Sequence, residues 1–183
     1  LTVISVMYSE AHLVAGADAA ADRDIADDAL WLARVVAAAL PREPETHGLV
    51  ALLCFHRARE SARAVDGDLV LLAEQDRSRW DPVHIMRGLA ALDRALTLST
   101  ELGPYTLQAA IAACHARAET AEATDWVRIA DLYEQLARVT GSPVVEVNRA
   151  VALGMAYGPE AGLALLDQLD GLPALSGYHL LPS

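Results

Sequence analysis

The sequence predicts an all-α protein built of antiparallel helix pairs, and three observations carry that expectation. Hydrophobic residues make up 54% of the 183 residues and aromatics only 5%; alanine and leucine dominate, a mix that favours helix over strand and argues against disorder. Apolar residues recur at helical spacing in several stretches. Similar segments also recur along the chain, each followed within a few residues by a proline. A chain of this length can bury a sizeable core as one compact unit or a short solenoid, so residues 1–183 are expected to form a single domain.

The elements follow in order. Ala26, Ala29, Leu30, Ala33, Val36, Ala37 and Leu40 form one apolar stripe. The acidic run Asp18, Asp22, Asp24, Asp27 and Asp28 ahead of and within it reads most simply as a solvated helix start, where carboxylates complement the helix dipole. Pro44, Pro82, Pro104 and Pro143 each stand where a helix begins, the position in which a missing N–H costs nothing. Leu107, Ala110, Ile111 and Cys114 make a further stripe, as do Ile129, Leu132, Tyr133, Leu136 and Val139. One segment breaks the rhythm. Between Arg63 and Leu72, Asp66–Gly67 is a tight-turn signal between short apolar runs, so a small hairpin or elbow is expected there.

The recurring segments are GLAALDRALTL (Gly88 to Leu98), IADLYEQLARV (Ile129 to Val139) and GLALLDQLDGL (Gly162 to Leu172). The prolines that follow are Pro104, Pro143 and Pro173, spaced by 39 and 30 residues. Those spacings bracket the roughly 34-residue tetratricopeptide (TPR) unit. Setting Trp126 at that unit's second-helix aromatic position puts Tyr133 at the next one, and its first-helix glycine falls on Gly158. A TPR-like solenoid of helix pairs with a concave groove is therefore expected.

The formal charge is −11, with 25 acidic against 14 basic residues. A surface of that sign repels phosphate backbones, so no direct DNA binding by this chain is expected. Cys54 and Cys114 are the two cysteines, with no CxxC pair, which suggests reduced, buried thiols and a cytoplasmic protein. The apolar stretches are too short to span a bilayer. Leu1 opens the chain without a methionine or a basic leader, and the sequence reads as part of something longer.

The string LVLLAEQDRSRWD, with LPREPETHGLVALLCFHRAR before it, resembles the C-terminal extension of a group of extracytoplasmic-function (ECF) sigma factors. The resemblance continues through GPYTLQAAIAACHA, DWVRIADLYEQL, SPVVEVNRAVAL and GLPALSGYHLLP, and so covers essentially the whole chain. It implies a parent whose missing N-terminal domains bind core RNA polymerase and promoter DNA, and which directs transcription initiation. Near its start the family tends to show a Phe-Asn-Glu-Gly-Tyr run; Tyr8–Ser9–Glu10–Ala11–His12 here keeps only Glu10. The family usually adds further helices after the point where this chain stops, so the last repeat is expected to be uncapped.

Candidate chemistry is sparse. His56 with Glu60 and His115 with Glu119 are i,i+4 pairs that resemble metal ligands, but no third ligand is visible and surface helix pairs are the simpler reading. No glycine-rich phosphate loop, GxSxG elbow or HExxH helix is present; neither a cofactor nor enzymatic activity is expected. Asp76, Arg77, Arg79 and Asp81 surround Trp80. In one reading Asp76 is a base and the arginines an anion clamp, giving a small-molecule sensor or vestigial enzyme. In the favoured one the arginines brace carboxylates and helix ends while Trp80 packs beneath the elbow. Gln108 and His115 lie opposite the apolar stripe of their helix, and Asn148 and Arg149 near the middle of another. These four are expected to line the groove and hold a peptide from the sigma domains in cis or from a regulatory protein. A long open groove would favour that interaction module; a concave polar pocket beside Trp80 would favour the sensor.

Overall fold

Proline sets the frame of the fold. A computed structural model describes residues 1–13, 19–65 and 68–169, with side-chain surroundings for 1–9, 25–64 and 68–169. Among them are eight α-helices: α1 (Thr2–Leu13), α2 (Ala19–Ala39), α3 (Pro44–Ala58), α4 (Pro82–Leu98), α5 (Pro104–Arg117), α6 (Trp126–Thr140), α7 (Pro143–Tyr157) and α8 (Pro159–Leu169). The four prolines expected to open helices do so, and Pro159 opens another. Where proline is absent from the first turn, side chains take over: Asp125 accepts from the Arg128 N–H at 2.9 Å to start α6. Gly141 (φ +60°) ends α6 and Gly158 (φ +103°) ends α7, both in the half of conformational space that other residues avoid.

The expected elbow is there, and it is small. Strand β1 (Ala64–Val65) pairs antiparallel with β2 (Asp68–Leu69), Ala64 opposite Leu69 and Val65 opposite Asp68. Single 3-10 turns follow at Leu72–Glu74 and Arg77–Arg79. This is the extended structure found among the described residues.

Helix α3 is the hub. It packs on α2, α4 and α5, and every residue from Gly48 to Phe55 is buried, as befits a helix apolar on all sides. Two glycines permit its close neighbours. A Cβ on Gly48 would stand 2.5 Å from Thr106 Oγ1, and one on Gly88 2.8 Å from the Phe55 ring. The helices then run on as contacting neighbours, α5 with α6, α6 with α7 and α7 with α8. Links as short as Gly141–Ser142 and Gly158 turn each helix back along the one before it. On the other side α1 packs on α2, with Tyr8 buried against Leu30 and Leu53 in one cluster. No described helix is long and apolar enough to cross a membrane.

The predicted stripes are buried in their middles and surface at their ends. Ala26, Ala29, Leu30, Ala33 and Ala37 are core, while Leu40, beyond the end of α2, is exposed; Ile129, Leu132 and Leu136 are core, while Val139 is exposed. Helix α2 begins at Ala19, at the head of the acidic run, as expected, while Asp27 and Asp28 lie further along it. Asp27 receives a two-pronged bond from Arg57 of α3, at 2.9 and 3.1 Å. Asp18, the Asp66–Gly67 turn, Pro173 and residues 170–183 lie outside the described residues, as do the side chains of Glu10, Ala11, His12, Asp22 and Asp24.

Candidate functional site

The elbow fixes one wall of the site. Asp76 caps the Arg77–Arg79 turn, accepting from the backbone N–H of Ser78 at 3.0 Å and from its hydroxyl at 2.7 Å. Asp81 caps α4 in the same way, accepting from Val83 N–H at 2.8 Å and His84 N–H at 3.3 Å. Both carboxyls are held below the usual carboxylate range, Asp76 by the Ser78 hydroxyl and Asp81 by the His84 ring. Between these caps Trp80 is tucked under the elbow, 5% exposed.

Arg77 ties the elbow to α5. Its guanidinium donates to the carbonyls of His115 (2.5 Å) and Ala118 (2.8 Å) and to Thr124 Oγ1 (3.0 Å), and lies 5.1 Å from the Trp80 ring centroid. Of the two acceptors expected, carboxylates and helix ends, Arg77 takes the second. It grips the carbonyl end of α5, where a cation complements the helix dipole. Arg79 is a correction. Its side chain is exposed, and the residue contributes its backbone carbonyl, which accepts from Ser61 Oγ at 2.6 Å.

Helices α3 and α6 both pack on α5, and the space between them is a cavity of about 290 Å³. Leu52, Phe55, Ile111, Leu136 and Val145 supply apolar wall, Trp80 closes the elbow side, and the polar groups are His56, Arg59, Gln108, His115, Tyr133, Thr140 and Asn148. Three of the four residues expected to bind a partner thus meet around one concavity that also contains Trp80. Gln108 spends its amide N–H₂ on the Pro104 carbonyl at 3.1 Å. Asn148 is exposed, at the mouth.

Two expectations about these residues are corrected. His115 is not on a free surface: it is 7% exposed, because α5 is sandwiched, with Leu107 and Ile111 facing α6 and Ala109 and Ala113 facing α3. Its ring meets Trp126 edge-on, 5.3 Å between centroids. Arg149 does not reach the cavity. It pairs with Glu146 at 3.2 Å and, across to α6, with Glu134 at 3.8 Å, and so braces α7 on α6. In the two i,i+4 pairs, Glu60 forms an ion pair with Arg57, and Glu119 lies exposed beyond the end of α5. Among the described residues no three His, Cys, Asp or Glu gather as a metal site.

Among the described residues that line the cavity the charged side chain is Arg59, and none is an Asp or Glu, although the chain carries −11. Arg59, at the end of α3, has no carboxylate within ion-pair distance among the described residues. Burial, with Arg63 beside it, lowers its pKa to about 10, so it stays charged at neutral pH. Burial also pushes His115 down to about 4, helped by the Arg59 and Arg77 charges, so the imidazole is neutral. Burial raises the Tyr133 phenol, which keeps its proton. Two buried polar atoms in this wall, Trp80 Nε1 and His115 Nδ1, have no hydrogen-bond partner. Such groups are rare in folded proteins and are ordinarily met by water or a ligand.

A family model described as a family of unknown function, DUF6596, matches residues 1–96, just over half of the chain. The chain belongs to that family. The DUF6596 region runs from α1 into α4 and supplies Arg59, Trp80 and the α3 wall of the cavity; the α5, α6 and α7 walls come from beyond it. An uncharacterized protein of Rhizobium meliloti (strain 1021) is 43% identical over 178 residues, a stretch covering 97% of this chain and 41% of the relative. The chain therefore spans well under half the length of that relative. No solved structure matches.

Proposed function

We propose that this chain is a regulatory binding domain of a longer protein, a TPR-like helical scaffold that extends an ECF sigma factor at its C-terminal side. The observation that carries the binding role is the cavity. Gln108, His115 and Asn148 line it together with Trp80, and two of its buried polar atoms lack partners. Apolar walls with a few convergent polar groups and a perturbed titratable residue are the usual composition of a ligand site. The relative's greater length supports an appended domain, and the motifs around LVLLAEQDRSRWD support a sigma-factor parent. A concavity of about 290 Å³ beside Trp80 favours sensing a small occupant over holding a long peptide. Asp76 is spent on a turn and does not line the cavity, so the sensing reading needs no catalytic base there. Contact with core polymerase and promoter belongs to the rest of the parent, since the acidic surface of this domain repels DNA.

The test is transcription by the intact protein from its own promoter. Changing Gln108 and Asn148 together to alanine should leave stability within about 1 kcal/mol, as these side chains are not core, and should change promoter output. Unchanged output from a folded double variant refutes the reading.

A further inference from the structure

We infer that the occupant of the cavity is a small organic carboxylate with an apolar body, its charge taken by Arg59 and its body lying against Phe55, Ile111 and Leu136. This rests on the regulatory site proposed above and adds the chemistry of its ligand. Three independent features favour an anion. The cavity has a guanidinium that pairs with no carboxylate among the described residues. None of the described residues in its lining is acidic. Its buried indole Nε1, which can only donate, is unpartnered on a side chain 5% exposed, and the His115 ring, 7% exposed, has an unpartnered nitrogen as well. A cation would meet the Arg59 charge with no acidic side chain among the described lining residues to offset the repulsion.

Size and charge count narrow the class. Arg59 is the one guanidinium among the described lining residues; Arg77 is not among them and is occupied with the carbonyls at the end of α5. One buried positive charge balances one negative charge; a phosphate dianion would leave excess charge in a largely apolar space, at a cost that burial magnifies. The planar fork of a guanidinium suits a carboxylate, which accepts two parallel bonds from it. At about 290 Å³ the space is at the small end for ligand sites, which run to roughly 1,000 Å³. Leu52, Leu136 and Val145 offer the rest of such a molecule a surface it prefers to water.

The experiment uses the intact protein with phenylacetate and hexanoate as probes, and phenylacetamide as the neutral isostere, followed by calorimetry and thermal shift. At least one carboxylate should bind saturably, one per chain, and raise the melting temperature with concentration. Phenylacetamide should bind about tenfold or more weaker, and so should either carboxylate to Arg59→Gln, because the charge-assisted bonds are lost. Trp80→Phe, which keeps the ring and removes the orphaned N–H, is a second variant and should weaken the carboxylate several-fold while folding normally. An amide that binds as tightly as the acid overturns the inference, as does carboxylate binding indifferent to both variants. A short peptide that competes only when its C-terminal carboxylate is free, where no free acid binds, overturns the small-molecule source. The promoter assay above separates the two readings. If no carboxylate binds yet Gln108 and Asn148 variants alter transcription, the ligand class is wrong and the regulatory site stands. If carboxylates bind and transcription ignores the variants, the site is real and the regulatory role fails.

Discussion

Replacing Arg77 by methionine isolates what its guanidinium contributes, because methionine keeps most of the apolar stem that lies along the Trp80 ring. The head group donates to two carbonyls at the end of α5, those of His115 and Ala118, and to the Thr124 hydroxyl. Hydrogen bonds from a charged donor are worth about 1.5–3 kcal/mol each when fully desolvated. Arg77 is half-buried, however, and water can reach part of the α5 terminus once the arginine is gone. Discounting for that solvation leaves about 2–4 kcal/mol for the three bonds, with about 0.5–1 kcal/mol more from the cation over the indole. With a denaturant slope near 2 kcal/mol per molar, the urea midpoint of Arg77→Met should fall by about 1.2–2.5 M. Arg77→Lys should recover only part of the loss, since an ammonium cannot fork across both carbonyls. Combined with Trp80→Ala, the effects should be less than additive by about 1 kcal/mol, because each change removes the other's partner. A midpoint within about 0.3 M of the unaltered protein would show that the elbow is held by Trp80 burial alone, and that the helix-end contact is energetically idle.

Two further outcomes follow from the same geometry. Gly48→Ala should destabilise by about 1–3 kcal/mol in a thermal melt, although alanine is the better helix former, because the new Cβ would meet the Thr106 backbone, N at 2.7 Å and Cα at 2.9 Å; a gain in stability would mean that α3 and α5 are further apart than described. His115, folded, has its pKa pushed down to about 4 from 6.5, so between those values the unfolded chain binds the extra proton. Its contribution is complete above pH 6.5 and is lost as pH falls toward 4, up to roughly 3 kcal/mol. Urea midpoints at pH 7 and pH 4.5 should therefore diverge more for the unaltered protein than for His115→Gln; equal pH dependence in the two would refute it.

The helices were legible because their signals are local. Proline at a first turn and apolar residues at i, i+3 and i+4 act within a few residues of chain, and α3, α4, α5 and α7 begin where those signals stand. Asp66–Gly67 likewise announced the β1–β2 pairing on its flanks. Ligand-site membership was only partly legible. Gln108 and His115 were singled out from their place opposite an apolar stripe, and Asn148 from its place near the middle of another helix; all three line the cavity, but the sequence did not say that α5 is covered on both sides, which turns a solvent face into a cavity wall. Arg149 was misassigned because its acidic partners, Glu146 and Glu134, are one turn away and one helix away, and side chains of opposite sign at those distances compete with any ligand. Arg59 carried no signal of its own within HRARE. The role proposed for it rests on the lack of a carboxylate partner among the described residues, which is visible only once the chain is folded.

The cap on α5 has a consequence for how this molecule can be divided. Gly103 offers no side chain to the first turn of α5; the carboxylate of Glu45, in α3, accepts instead from the N–H groups of Tyr105 (2.8 Å) and Thr106 (3.0 Å) and bonds the Thr106 hydroxyl. Those amides have no partner until α3 is in place, so α5 draws its stability from a helix some 60 residues earlier. The family match stops at residue 96, within α4 and between these two helices. A truncation made there would strip α5 from Glu45 and lay bare Phe55 and Leu92, both buried against α5 alanines. Such a deletion would report on a broken cooperative unit, because the smallest foldable piece of this chain extends past the edge of the family match, as does the likeness to the Rhizobium meliloti relative.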